Sequence, residues 1–95
     1  MSNIEKSVDQ TKTEEFADKM VGVLNGAALA IMTSIGHRTG LFDSMATMQH
    51  ASSPQIAEAA GLNERYVREW LGAMVTGGVI LHDPKASSYY LPREH

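Results

Sequence analysis

Between Ile56 and Leu71 the chain reads IAEAAGLNERYVREWL, the spacing of two short helices joined by a tight turn. Two helices that cross steeply need a small residue where they meet, and Ala57 supplies it. The turn between them needs a residue that tolerates positive φ, and Gly61 supplies that. Ile56, Ala60, Leu62, Val67, Trp70 and Leu71 then fall on the inward side, and Met74 continues that side. The pattern predicts a helix-turn-helix, and the residues around it extend the unit. Ser53 is the expected N-cap of the first helix, with Pro54 at its first position. Asn63 caps the second, expected over Glu64 to about Thr76, and Gly77-Gly78 closes it.

Beyond that closure, Val79-Ile80-Leu81-His82 is short, apolar and rich in β-formers. Asp83 to Ser88 is turn chemistry, and Tyr89-Tyr90-Leu91 returns as a second strand that Pro92 ends. On the N-terminal side, Leu41, Phe42 and Met45 pack inward from a short helix reaching Met48, with Asp43 as its cap. Gly40 ends the helix before it. The fold class expected is mainly α: a winged helix-turn-helix with a long N-terminal helix and a C-terminal two-stranded β-hairpin.

The long helix is the second constraint. Met20 to Gly36 carries no charge across 17 positions. Phe16, Met20, Val23, Ala27 and Ile31 form one apolar stripe, and Val21, Leu24, Ala28, Met32 and Ile35 form another beside it. A surface helix needs only one apolar face, so this one must be covered on two sides. One cover is its own core. The other is expected to be a second subunit or a further domain, in preference to the plain reading of a core helix in a monomer. The run is short for a membrane span, and Gly22, Asn25, Gly26, Thr33 and Ser34 dilute it, so no membrane partner is expected. Thr13 is the expected cap of this helix, with residues 1–12 a disordered lead-in and 13–95 the folded domain.

With 95 residues the chain is one domain, able to bury only about two thirds of its unfolded surface. It has no cysteine, which removes disulfides, thiolate catalysis and cysteine-ligated zinc together. The start is polar and mixed in charge rather than a secretory leader, so a cytoplasmic location is expected. The four histidines, His37, His50, His82 and His95, have no metal-ligand spacing. There is no phosphate-binding glycine loop and no nucleophile-elbow frame. Neither a catalytic residue nor a metal is expected, and the chain is not expected to catalyse anything alone.

A helix-turn-helix raises the question of DNA. The outward positions of its second helix are Arg65, Glu69, Gly72 and Thr76, with Arg68 on the flank. Arg65 has Glu69 four residues on, and Arg68 has Glu64 four residues before. The hairpin tip adds Lys85 beside Asp83. The net charge is −3 and no segment is basic, whereas DNA affinity comes mainly from cations that neutralise phosphates. Arg65, Arg68 and Lys85 remain the residues of an alternative reading, a small winged-helix DNA-binding regulator.

The segments GLFDSM, SPQIAEAAGLNERYVREWLGAMVTGGVI and YYLPREH resemble the N-terminal winged-helix domain of a group of class I S-adenosylmethionine-dependent methyltransferases, some of them labelled transcriptional regulators. The resemblance covers residues 14–95 and is most specific at ERYVREWL, GGVI and the YxLPxEH ending. It implies a domain that dimerises through its long first helix and helps cap a substrate pocket. It also implies a Rossmann-like catalytic domain following His95, absent from this sequence, so a truncated chain is expected. S-adenosylmethionine is expected in the parent protein and no cofactor in this chain. On the long helix the dimer interface is expected at Met20, Val21, Leu24, Ala28, Ile31, Met32 and Ile35, and the candidate substrate-pocket lining is Phe16, Met20, Leu24 and Met32.

Overall fold

The structure, a computed structural model, describes residues 9–95. Four helices precede a two-stranded antiparallel hairpin: α1 (Gln10–Arg38), α2 (Leu41–Ala46), α3 (Ser53–Ala60), α4 (Glu64–Thr76), β1 (Leu81–Asp83) and β2 (Ser88–Tyr90). This is the winged helix-turn-helix the sequence predicts.

Helix α1 starts earlier than Thr13. Asp9 is its N-cap and accepts from the Lys12 amide at 3.1 Å, while the Thr13 hydroxyl donates back to the Asp9 carbonyl. Asp outranks Thr as a cap, and capping at Asp9 keeps the Lys12 amide satisfied. Residues 10–12, expected in the lead-in, are therefore helical, and residues 1–8 of it lie outside the described residues. The C-terminal turn carries His37 and Arg38, favourable at the negative end of the helix dipole. Gly40 then reverses the chain with φ of 77° and also opens α2, where Asp43 sits in the first turn instead of capping. Helix α2 stops at Ala46, short of Met48, and Thr47 closes it.

The α3 cap lies one residue earlier than expected. Ser52, not Ser53, accepts from the Gln55 amide, and the Gln55 side chain accepts from the Ser52 amide, completing a capping box. Ser53 is thereby free to donate to Glu64 Oε2 at 2.6 Å, which ties the start of α3 to the start of α4. Gly61 adopts φ of 68° in the turn, and Asn63 caps α4 through the Arg65 amide, both as predicted. The hairpin begins later than its apolar run. The Val79 and Ile80 amides turn back to the Met74 carbonyl, and pairing starts at Leu81 opposite Tyr90. Tyr89 also pairs with Ala51 through two backbone hydrogen bonds of 3.0 and 2.7 Å, so the segment before α3 is stitched to the wing.

The core is built from α2, α3, α4 and the wing. Leu41, Met45, Ala51, Ile56, Ala57, Val67, Trp70, Leu71, Met74 and Ile80 are all buried. Ala60 and Leu62 are half-buried beside them. Only the last third of α1 joins this core. Gly36 is buried because the rings of Trp70 and Phe42 press on its backbone, with Phe42 Cε2 only 2.7 Å from where a Cβ would stand. Those rings meet edge to face at 5.2 Å, and the Trp70 indole N–H donates to the Met32 carbonyl at 2.8 Å.

Candidate functional site

The rest of α1 is bare. Every residue from Gln10 to Ala28 is exposed, and Leu29 is the first to be partly covered. At about 1.5 Å per residue α1 is roughly 43 Å long, so well over half of it projects from the core. From Met20 onward the projecting part carries no charge, and Phe16 adds an apolar ring before it. Phe16 is 62% exposed, Leu24 64% and Ile31 61%, and Val21 and Val23 lie open as well. Exposed contiguous apolar surface of this kind marks an interaction site on a soluble protein.

The residues assigned to a dimer interface divide accordingly. Met20, Val21, Leu24, Ala28 and Ile31 are exposed, whereas Met32 and Ile35 are half-buried against their own core. By length and composition α1 could also cross a membrane. Its uncharged and projecting part, Met20 to Ala28, is however only about 14 Å long against a hydrocarbon core of about 30 Å, and the remainder is fastened to the core by Trp70 and Phe42.

Where α1 meets α4, two hollows open. One, of about 200 Å³ and almost wholly apolar, is lined by residues that include Met32, Ile35, Leu41, Leu62 and Trp70, with Tyr66 and Glu69 at its rim. The other is a groove whose walls are small, including Gly26 and Ala28 from α1 and Gly72, Ala73 and Gly77 from α4. Of the residues assigned to a substrate pocket, Met32 lines both hollows, while Phe16, Met20 and Leu24 stand on the bare part of α1. Tyr66, 71% exposed beside the apolar hollow, is the residue that the sequence pattern did not single out for this place.

The outward face of α4 is as the spacing predicts. Arg65 and Glu69 pair at 3.6 Å, and Arg68 and Glu64 at 3.8 Å, all well exposed. Gly72 leaves open space. Lys85 sits in the wing turn, where its amide donates to Asp83. The three candidate DNA-contacting cations are thus solvent-accessible, but each of the two on α4 already faces a carboxylate. Among the described residues no group of metal-ligating side chains occurs. Three of the four histidines have other contacts: His82 stacks on Tyr89, His50 tilts against Tyr90, and His95 donates through Nδ1 to the Val79 carbonyl.

Nor do these residues fit S-adenosylmethionine. Among the described residues no strand runs into a glycine-rich turn of the nucleotide-binding kind, since Gly77-Gly78 ends a helix and precedes a strand. The apolar hollow offers one carboxylate, Glu69, which Arg65 already engages.

Among solved structures the chain is similar to the mitomycin 7-O-methyltransferase MmcR, with a TM-score of 0.72 and 21% identity over 88% of this chain. The matched part is only 25% of that enzyme, so the likeness is one of fold within a quarter of its length. No curated protein matches the chain in sequence. The family model of the Rv2258c-like winged HTH domain matches residues 27–95, from the last third of α1 through the wing, and the chain belongs to that family.

Proposed function

We propose that this winged helix is the dimerisation and substrate-capping domain of an S-adenosylmethionine-dependent methyltransferase. The observation that carries the reading is the bare half of α1, an apolar helix surface that its own core does not reach. A chain of this size gains little from leaving such surface in water, and each large aliphatic side chain covered by a partner is worth about 1.5–3 kcal/mol. A second protein surface suits it better than lipid, because the free uncharged stretch is too short to span a bilayer. The fold shared with a quarter of an O-methyltransferase supports a place beside a catalytic domain, where the cofactor would be bound. In that setting the apolar hollow at Met32, Leu62, Tyr66 and Trp70 would form part of the cap.

Sedimentation velocity across a hundredfold concentration range tests the dimer. The expected result is a dimer that dissociates only on dilution, and monomer throughout would overturn the reading. Capping is tested on a chain joined to its catalytic domain, where Tyr66→Ala should raise KM for the methyl acceptor and leave KM for the cofactor unchanged.

DNA binding is the second reading, favoured by the exposure of Arg65 and Arg68 on α4. It predicts an affinity for duplex DNA that falls steeply with salt and is lost in Arg65→Ala/Arg68→Ala. The paired carboxylates argue for a flat titration.

A further inference from the structure

The exposed face of α1 has a finer pattern than two stripes. Thr13, Ala17, Met20, Leu24, Ala27, Ile31, Ser34 and Arg38 follow one another at alternating steps of four and three residues, and all of them are exposed. That is the seam spacing of a two-stranded coiled coil, carried from one end of the helix to the other. Resting on the dimer reading above, we propose that this seam takes the α1 helix of a second copy in antiparallel orientation. The two-fold axis crosses between Asn25 and Gly26.

Side-chain size and charge select this arrangement. In the antiparallel register Met20 faces the partner's Ile31, and Leu24 faces the partner's Ala27. Ala17 faces the partner's Ser34, and Thr13 the partner's Arg38. Large residues meet small ones or one another in the middle, and polar ones fall at the ends. A parallel pair would set each residue on its own copy. Ala27 would then meet only Ala27 near the centre of the seam, where the antiparallel pair sets Leu24 on it, and the two Arg38 side chains would meet. Charge points the same way. Among the described residues neither Glu14 nor Arg38 has an ion-pair partner within its own chain. Antiparallel pairing puts Glu14 beside the partner's Arg38 at both ends of the seam, as a self-complementary two-fold interface requires. Each copy's bare N-terminal half then lies along the other copy's core-bearing half. Ala28, next to the seam, lines the groove it shares with Gly72.

The chain has no cysteine, so introduced thiols report register cleanly. Leu24→Cys and Ala27→Cys proteins are prepared separately, mixed and oxidised, and the same is done with Met20→Cys and Ile31→Cys. All four positions are exposed and outside the core, so the fold is not at stake. The mixtures should form disulfide dimers at least about tenfold faster than either protein alone. Equal or faster cross-linking of the single variants would overturn the antiparallel register. If sedimentation still showed dimers, the broader dimer reading would survive it, whereas monomers would sink both. Stable binding of the wild-type chain to phosphatidylcholine vesicles, without cross-linking in solution, would identify lipid as the occupant and overturn the proposal. A charge exchange gives an independent readout. Arg38→Glu should weaken the dimer about tenfold, and Glu14→Arg/Arg38→Glu should restore it. A double variant weaker than the single one counts against the register.

Discussion

From Leu29 to Arg38, α1 is gripped by its own domain, and from Gln10 to Ala28 the same helix is exposed at every residue. From Met20 to Ala28 the bare part is as free of charge as the gripped part, since the uncharged run spans the junction between them. What differs is what stands opposite. Gly36 lets Trp70 and Phe42 lie on the helix backbone, and Leu29 fits against Gly77 at the end of α4. Further back, a Cβ added at Gly22 or Gly26 would have none of the described residues within 4 Å beyond its own stretch of helix. The comparison teaches that an apolar stripe states a need for cover, and the reach of neighbouring elements decides whether the chain meets that need by itself.

Substitutions should separate the two parts cleanly. The largest effect is expected from Leu24→Glu/Ile31→Glu. Both side chains are exposed in the single chain, so stability of the fold should change little, while a dimer would bury four carboxylates. Association should fall about 10⁴-fold or more by sedimentation, with unchanged circular dichroism; an unchanged dimer would place the interface elsewhere. Next is Trp70→Ala in the gripped part. It removes a buried ring, the contact with Phe42 and the hydrogen bond to Met32, and should cost about 3–5 kcal/mol in urea unfolding. A loss below about 1 kcal/mol would mean that α1 is not anchored there. Gly36→Ala should cost about 1–3 kcal/mol, because the added methyl group collides with Trp70 and Phe42. Gly26→Ala, in the bare part and with open space around it, should be neutral or stabilise the monomer by up to about 1 kcal/mol through helix propensity. At the same small scale but with the opposite sign, Ser52→Ala should cost about 1 kcal/mol by removing one half of the α3 capping box, with no effect on association.

Most of the fold was legible because its signals are local. Gly61 and Asn63 state the turn and the cap between α3 and α4, and both occupy those roles. The errors are also local and come from competing caps. Asp9 displaces Thr13, Ser52 displaces Ser53, and the backbone of Gly40 serves where Asp43 was expected. In each case two signals within four residues of each other compete, and the helix takes the earlier one. The tie between Ala51 and Tyr89 was not legible, because a single bridge across 38 positions leaves no periodic trace. For the candidate site, the sequence pattern found the apolar helix and the charge-paired face of α4. It missed Tyr66 at the rim of the hollow, since an exposed tyrosine on a helix has no signature until α1 and α2 are placed beside it.

Residue order alone determined that a helix-turn-helix with a wing would form, that its outward face would be electrically balanced, and that α1 would be apolar beyond what one core can use. Those properties follow from spacing, caps and charge, which act within a few residues. Tertiary structure alone decided which length of α1 the core would take. That depended on Trp70 and Phe42 closing on Gly36, a contact between distant segments, and it ends at Leu29 because none of α2, α3, α4 and the wing covers the residues before it.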